Sequence, residues 1–295
     1  MAQREIVIST ESGSDLPAEA VKKYDFKVAP MHVIIGGEEF PDDTEHVDRV
    51  FNYFRSTGRV PSTSAVNVGE YDEFFTRIKA EHPGCVIYHF SYSSQASSTY
   101  AHAEQSIKNF DDVYLIDTKN VSGGCTAHMI TAAQYVKAHQ DSIEDYAAFA
   151  DELQALADRI VCHFIPDTLE YLKAGGRVSN AAYLGASILK LHPLIEIDHD
   201  GRLIATKKYR GNMAKVARKF LPEFLERYDL DRQCLYLMYG KGLSQETLDY
   251  MKQFAADNGF ADSIYVMTGC VISCHGGEGA IGLAGVLKEG LVTKA

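Results

Sequence analysis

Residues 90–100 of this 295-residue chain read Phe-Ser-Tyr-Ser-Ser-Gln-Ala-Ser-Ser-Thr-Tyr, with six serine or threonine hydroxyls and two tyrosines. The stretch follows an apolar run at 85–90 and precedes a helical pattern. A strand that delivers hydroxyls to the mouth of a helix can hold an anion. The hydroxyls donate, and the first N–H groups of the helix point the same way, with the positive end of its dipole. No histidine, lysine or aspartate within the stretch completes a catalytic constellation. The plainer reading of Ser93, Ser94, Ser97, Ser98 and Thr99 is a helix cap with surplus serines on a solvated loop. Their place beyond a strand's carboxyl end, where open α/β sheets bind ligands, favours the functional one.

Two further hydroxyl groups stand at equivalent places. Pro61-Ser62-Thr63-Ser64 precedes a helix expected near residue 69, and Thr10, Ser12 and Ser14 follow the first strand, although Asp15 there would repel an anion. His275 lies in Ser273-Cys-His-Gly-Gly-Glu-Gly-Ala-Ile-Gly282, whose glycines permit close backbone approach. The embedded Gly277-Glu-Gly279-Ala-Ile-Gly282 matches GxGxxG only formally, because too little chain follows to place an acidic ribose partner. Cys270, Cys274 and His275 lack the spacing of a zinc site. Neither a G-x-S-x-G elbow nor a phosphate-binding P-loop occurs. Arg177 after two glycines and Arg210 after a strand are isolated cations, suited to a surface ion pair or to an anionic or acidic partner.

Composition narrows the classes. A 46% hydrophobic and 23% charged chain is that of an ordinary soluble globular protein. Forty acidic against twenty-nine basic residues, a net charge of −11, argue against nucleic acid or an anionic membrane surface as the main partner. No apolar run approaches the roughly 20 residues of a membrane span. The opening residues do not read as a signal peptide, and six scattered cysteines without a CxxC pair read as reduced thiols, so a cytoplasmic location is expected.

The elements that must position these residues alternate. Strands are expected at 5–10, 28–35, 85–90 and 113–117, with helices opening at Ser14-Asp15-Leu16-Pro17 and at 47–55, 69–81, 97–109 and 124–138. That alternation predicts a parallel sheet with helices on both faces. After a long helix at 142–158 the character changes. Strands at 160–164, 194–198, 203–209, 234–239 and 263–267 are joined by helices at 168–174, 181–189, 212–227 and 245–257. The Asp200-Gly201 pair signals a hairpin between two of the strands, so the second half is expected to be mixed or antiparallel. The expected fold is therefore α/β with two domains, 1–160 and 161–295.

Taken in order, the strings resemble the DegV family of bacterial fatty-acid-binding proteins. Ser14-Asp15-Leu16-Pro17 is similar to the family's opening motif, Pro61-Ser62-Thr63-Ser64 to its threonine-serine loop, and 93–100 to its S-S-x-x-S-G-T-Y. Residues 117–124 are similar to its D-S-x-x-x-S-x-G segment, and Leu169-Glu-Tyr-Leu172 through Gly175-Gly176-Arg177-Val178 to its L-x-Y-L-x-x-G-G-R-[IV]. The resemblance implies a carrier that is not itself an enzyme and uses no cofactor. One long-chain fatty acid would lie with its tail in the 161–295 domain, its carboxylate held by Thr63, Ser64, Ser93 or Ser94, and His275. Arg177 and Arg210 would contact a separate fatty acid kinase, which phosphorylates the presented carboxylate. No nucleic acid, metal or stable membrane insertion is implied. The chain departs from the pattern at Ser98 (for glycine), Val66-Asn67 (for proline), Cys270 (for proline) and His275-Gly-Gly-Glu-Gly (for H-T-G-P-G), which puts an acid at Glu278. A carboxylate at Glu278 would repel the head group if it faced it. The residues alone leave an enzyme reading open: an acyl or phosphoryl hydrolase or transferase, with a serine at 93–98 as nucleophile and His275 as base.

Overall fold

The computed structural model describes residues 4–180, 182 and 191–293. The helix expected at 181–189 falls, but for residue 182, outside the described residues. The first half runs β1 (Ile6–Glu11), α1 (Ala18–Tyr24), β2 (Lys27–Ala29), β3 (His32–Ile35), β4 (Glu38–Pro41), α2 (Val47–Thr57), β5 (Ser62–Ser64), α3 (Val68–Glu81), β6 (Val86–Ser91), α4 (Thr99–Ser106), β7 (Val113–Asp117), α5 (Gly123–His139) and α6 (Tyr146–Ala155). Strands β2-β1-β6-β7 form the expected parallel sheet. Alternation along β1 and β6 sends Ile8 and Tyr88 to a core under α1, α5 and α6. The same alternation sends Val7 and Ile87 to a second core under α2, α3 and α4, so both faces are covered.

Two local expectations change. The single strand expected at 28–35 is two strands, interrupted at Pro30, which has no N–H to donate to a ladder. Its second part, β3, leaves the parallel sheet and forms the centre of a small antiparallel sheet ordered β4-β3-β5. The Thr63 segment, expected as a loop, is therefore a strand. The long helix expected at 142–158 is the shorter α6, whose start is fixed by Asp145 accepting from the Ala147 and Ala148 N–H groups. Asn67, one of the departures from the family pattern, caps α3 reciprocally with Glu70.

The second half runs β8 (Ile160–Ile165), α7 (Glu170–Gly175), β9 (Leu191–Ile197), β10 (Leu203–Arg210), α8 (Met213–Arg227), β11 (Cys234–Tyr239), α9 (Gln245–Asp257), β12 (Asp262–Met267), α10 (Cys270–Gly276) and β13 (Ile281–Val286). Its sheet is ordered β10-β9-β8-β13-β11-β12, with β11 and β12 parallel and the other pairs antiparallel. The β9–β10 hairpin turns at Gly201 as its sequence requires, with φ of +90°. Sequence periodicity missed β13, a central strand, because Gly282 and Gly285 interrupt its apolar pattern.

Helix α5 joins the halves. Every residue from Gly123 to Ile130 is buried, with no polar face, as befits a helix enclosed on all sides. One core cluster accordingly runs from Ile8 and Tyr88 through Ala127 and Met129 of α5 to Cys162, Met238 and Ala284. The approach is close. A Cβ added to Gly124 would collide with Asn120 Oδ1 and lie 2.9 Å from Cys162 Cβ. Gly124→Ala is therefore expected to destabilise the protein by about 1–3 kcal/mol through overpacking. A urea-unfolding midpoint unchanged from that of the native chain would contradict this packing.

Candidate functional site

A cavity opens between the two sheets, enclosing about 1030 Å³ when its mouth is counted. Its wall has two characters. Thr63, Ser64, Arg177 and His275 supply polar groups, while Ala96, Val121, Phe164, Leu172, Leu203 and Ile272 are among the apolar contributors. Both halves of the chain supply both kinds. Ala96 and Val121 of the first half thus share the apolar wall with residues of 161–295.

The polar end is set by strand register. Thr63 pairs with Val33 across β3–β5, so it shares a face with that fully buried valine, against α10. From α10, His275 brings its Nε2 to 3.2 Å from Thr63 Oγ1. Among the described residues its buried Nδ1 has no hydrogen-bond partner. An orphaned polar atom of this kind is uncommon and concentrates at functional sites. The ring lies against the main chain of Gly175, where a Cβ would collide with Nδ1. That contact accounts for Gly175, while Gly176 ends α7 with a φ of +63°. Burial, reinforced by the nearby Arg177 charge, pulls the His275 pKa down to about 4, so the imidazole is neutral near pH 7.

Helix α10 is held at its N-terminus from the other half of the chain. Asp15, at the end of the first βα loop, accepts from the Gly269 N–H at 2.8 Å and from the Ser122 hydroxyl. Asp42, following β4, accepts from the Val271 N–H at 2.8 Å. The Cys270 N–H donates to the Asp43 carbonyl at 2.9 Å, a bond that a proline in its place could not make. Burial raises both carboxyl pKa values, Asp15 well above the ordinary range with help from the neighbouring Asp42, and Asp42 to about 6. Sequence alone makes Asp15 a hindrance to an anion. The structure makes it a cap.

Among the other sequence-derived candidates, Ser64 lines the cavity, as do Ser97 and Ser98. Ser93 and Ser94 are not in the wall. The Ser93 hydroxyl is fully buried and donates to the Gly201 carbonyl at 2.7 Å, tying the serine loop to the β9–β10 turn. The Ser94 N–H donates to Asp117 Oδ1 at 3.3 Å. Nor does His275 meet a serine at 93–98 as the enzyme reading would require, since its hydrogen-bonding partner is Thr63. Arg177 stands exposed at the cavity wall, and Arg210 is exposed at the end of β10. Glu278 turns away from the cavity to pair with Arg55 of α2. Cys270 and Cys274 are buried thiols whose pKa values are raised by burial. Among the described residues no group of three His, Cys, Asp or Glu side chains is arranged to hold a metal, and no helix is long and apolar enough to cross a membrane. Sequence reasoning missed Tyr92 and Ser122 as wall residues. Ser122 gave a signal in the Ser-Gly-Gly string that opens α5.

The family model described as "Uncharacterised protein, DegV family" matches residues 5–288. A DegV domain-containing protein of Clostridium acetobutylicum is 28% identical over 247 residues, covering 80% of this chain and 82% of that one. A DegV lipid-binding protein of Thermotoga maritima superposes with a TM-score of 0.80 at 24% identity, over 98% of this chain and all of its own. A DegV family protein of Thermus thermophilus, described for its fatty acid binding, superposes with a TM-score of 0.81 at 23% identity, over 96% of this chain and 99% of its own.

The capping carboxyls make a pH prediction. With its folded pKa raised from 3.8 to about 6, Asp42 binds its proton more tightly in the folded state. Its stability contribution is complete below about pH 4 and is lost as the pH rises through 6, on the order of 3 kcal/mol by pH 7. In Asp42→Asn the side-chain amide oxygen keeps the acceptor for the Val271 N–H and does not titrate. The stability of that variant relative to the native chain should therefore rise between about pH 4.5 and 7.5, measured by urea unfolding. Equal differences at both pH values would refute the assignment.

Proposed function

The chain belongs to the DegV family, and from that premise we propose that it binds one long-chain fatty acid in the cavity between its sheets and presents the carboxylate to a separate kinase. The reading rests above all on the cavity's division into a polar end, with the Thr63 hydroxyl 3.2 Å from His275, and an apolar remainder. Related proteins of the same fold from Thermotoga maritima and Thermus thermophilus bind lipid or fatty acid.

The chemistry is consistent with a carrier. Each buried CH₂ of an acyl chain contributes roughly 0.8 kcal/mol, so the tail supplies most of the affinity and the polar end needs only to orient the head group. Thr63, Ser64 and His275 hold the carboxylate, with Ser97 and Ser98 as further hydroxyls in the same wall. Ser93 and Ser94 support the loop that carries them: the Ser93 hydroxyl fixes it to the second half, and its N–H groups fix it to the chain after β7. In this division, residues 1–160 carry the head-group loops, and 161–295 contribute the larger share of the acyl wall and return His275 to them. Arg177 and Arg210, both exposed, form the docking contacts for the kinase in the cytoplasm of a bacterium. The carrier performs no covalent step and takes no cofactor.

Organic extracts of the purified protein should contain long-chain fatty acid by mass spectrometry, and the delipidated protein should take up oleate or palmitate. Thr63→Val and His275→Ala should each weaken uptake by about 10-fold or more, the scale of a hydrogen bond to a charged group. Absence of lipid together with absence of uptake would sink the carrier reading. For the arginines, Arg177→Ala or Arg210→Ala should lower kinase-dependent acyl-phosphate formation while lipid content stays at the native level. Loss of lipid in both variants would show that these residues hold the ligand instead.

A further inference from the structure

The apolar part of the cavity contains a phenol that no described residue satisfies. Tyr92 is 9% exposed and packs with Ala96, Val121, Leu172, Leu203 and the partly buried Phe164 at the junction of the two halves. Among the described residues its hydroxyl has no hydrogen-bond partner. Three other buried tyrosines have partners: the Tyr71 hydroxyl donates to Glu11, that of Tyr88 to the Tyr146 carbonyl and that of Tyr209 to Glu223. Other hydroxyls of the same wall are also consumed, Ser122 by Asp15 and Thr268 by Ser273 at 3.0 Å.

The position of the ring is fixed. The Tyr92 N–H donates at 2.8 Å to Glu11, a fully buried carboxylate that also accepts from Ser91 and Tyr71 and is paired with His89 at 2.8 Å. Its ring edge lies against Gly13, where a Cβ would come within 3.2 Å. This buried ionic network anchors the main chain at Tyr92, and through Tyr71 and Thr99 it also reaches Ser97 of the cavity wall.

We propose that Tyr92 determines ligand choice, selecting acyl chains that carry an oxygen substituent, a hydroxyl or oxo group, on their hydrocarbon portion over saturated chains of equal length. The inference rests on the fatty-acid-carrier reading above and names the class of fatty acid. A saturated chain strips the phenol of cavity water and offers no acceptor in return, leaving a buried donor unsatisfied. An oxygen at the right carbon accepts its hydrogen bond and removes that cost, which corresponds to a preference of about 10-fold or more. The phenol acts as neutral donor at any physiological pH, since burial raises its pKa well above the ordinary value.

The test is competition for the delipidated full-length protein among stearate, 10-hydroxystearate and 12-hydroxystearate, read by native mass spectrometry, with 2-hydroxystearate as a control near the head group. The native chain should retain at least one of the two mid-chain hydroxy acids about 10-fold over stearate. In Tyr92→Phe, which removes one oxygen atom, the two affinities should converge, with thermal unfolding used to verify that the variant is folded. Binding of stearate and the mid-chain hydroxy acids with equal affinity by the native chain overturns the Tyr92 assignment and leaves the carrier reading intact; that comparison needs no variant. A preference that persists in folded Tyr92→Phe also overturns it. Failure of every fatty acid to bind overturns the carrier reading and this inference with it.

Discussion

Much of the structure depends on how α10 is started. A helix exposes unsatisfied N–H groups at its N-terminus, and here they are met by residues more than two hundred positions away in sequence, Asp15 and Asp42. Those two bonds and the Cys270 N–H bond to the Asp43 carbonyl seat a seven-residue helix of the second half against the loops of the first. Val271, Ile272, His275 and Gly276, which all line the cavity, are placed by that seating. Both carboxyls are buried, and each is acceptable there because backbone N–H groups compensate part of the desolvation, while proton binding relieves the rest.

The cavity is what remains where the halves meet without filling the space between them. Near α5 they pack closely, Gly124 allowing the helix to approach Cys162, and a single apolar cluster runs through both sheets. Farther toward β5 and α7, polar bonds join the apolar contact of Phe51 and Phe54 with Tyr171: Ser93 to the Gly201 carbonyl, Thr63 to His275, and Arg55 to Glu278. A closely packed seam beside a hydrogen-bonded rim leaves a chamber with an apolar interior and a polar end. The exposed Arg55–Glu278 pair adds little stability, but it engages the Glu278 carboxylate with α2, outside the cavity wall.

Polar groups in this chamber divide by whether the protein already satisfies them. Ser122 and Thr268 have partners and serve the architecture. Among the described residues the buried Nδ1 of His275 lacks one, and the hydroxyl of Tyr92, a residue of the cavity wall, makes no hydrogen bond. In a medium where an unmet donor or acceptor is costly, such groups are the ones a ligand can address. The ordering of serines in sequence does not distinguish the two kinds.

The parallel first sheet, the hairpin at Asp200-Gly201 and most helices were legible in the chain because each is written locally, as apolar runs, 3.6-residue stripes, caps and turn residues. The ordered motifs also carried the family. What local pattern could not carry was every feature fixed by a distant partner. Pro30 ends one strand, but only pairing with β4 and β5 makes the next segment the centre of a separate sheet. The glycines of β13 read as a loop until neighbouring strands supply its ladder. Tertiary structure alone tied the Ser93 hydroxyl to the Gly201 carbonyl across the halves, set Asp15 and Asp42 at the start of α10, and placed Tyr92 in the cavity wall. Sequence spacing determines which groups one element presents, whereas the partner each group finds depends on contacts between residues far apart in the chain.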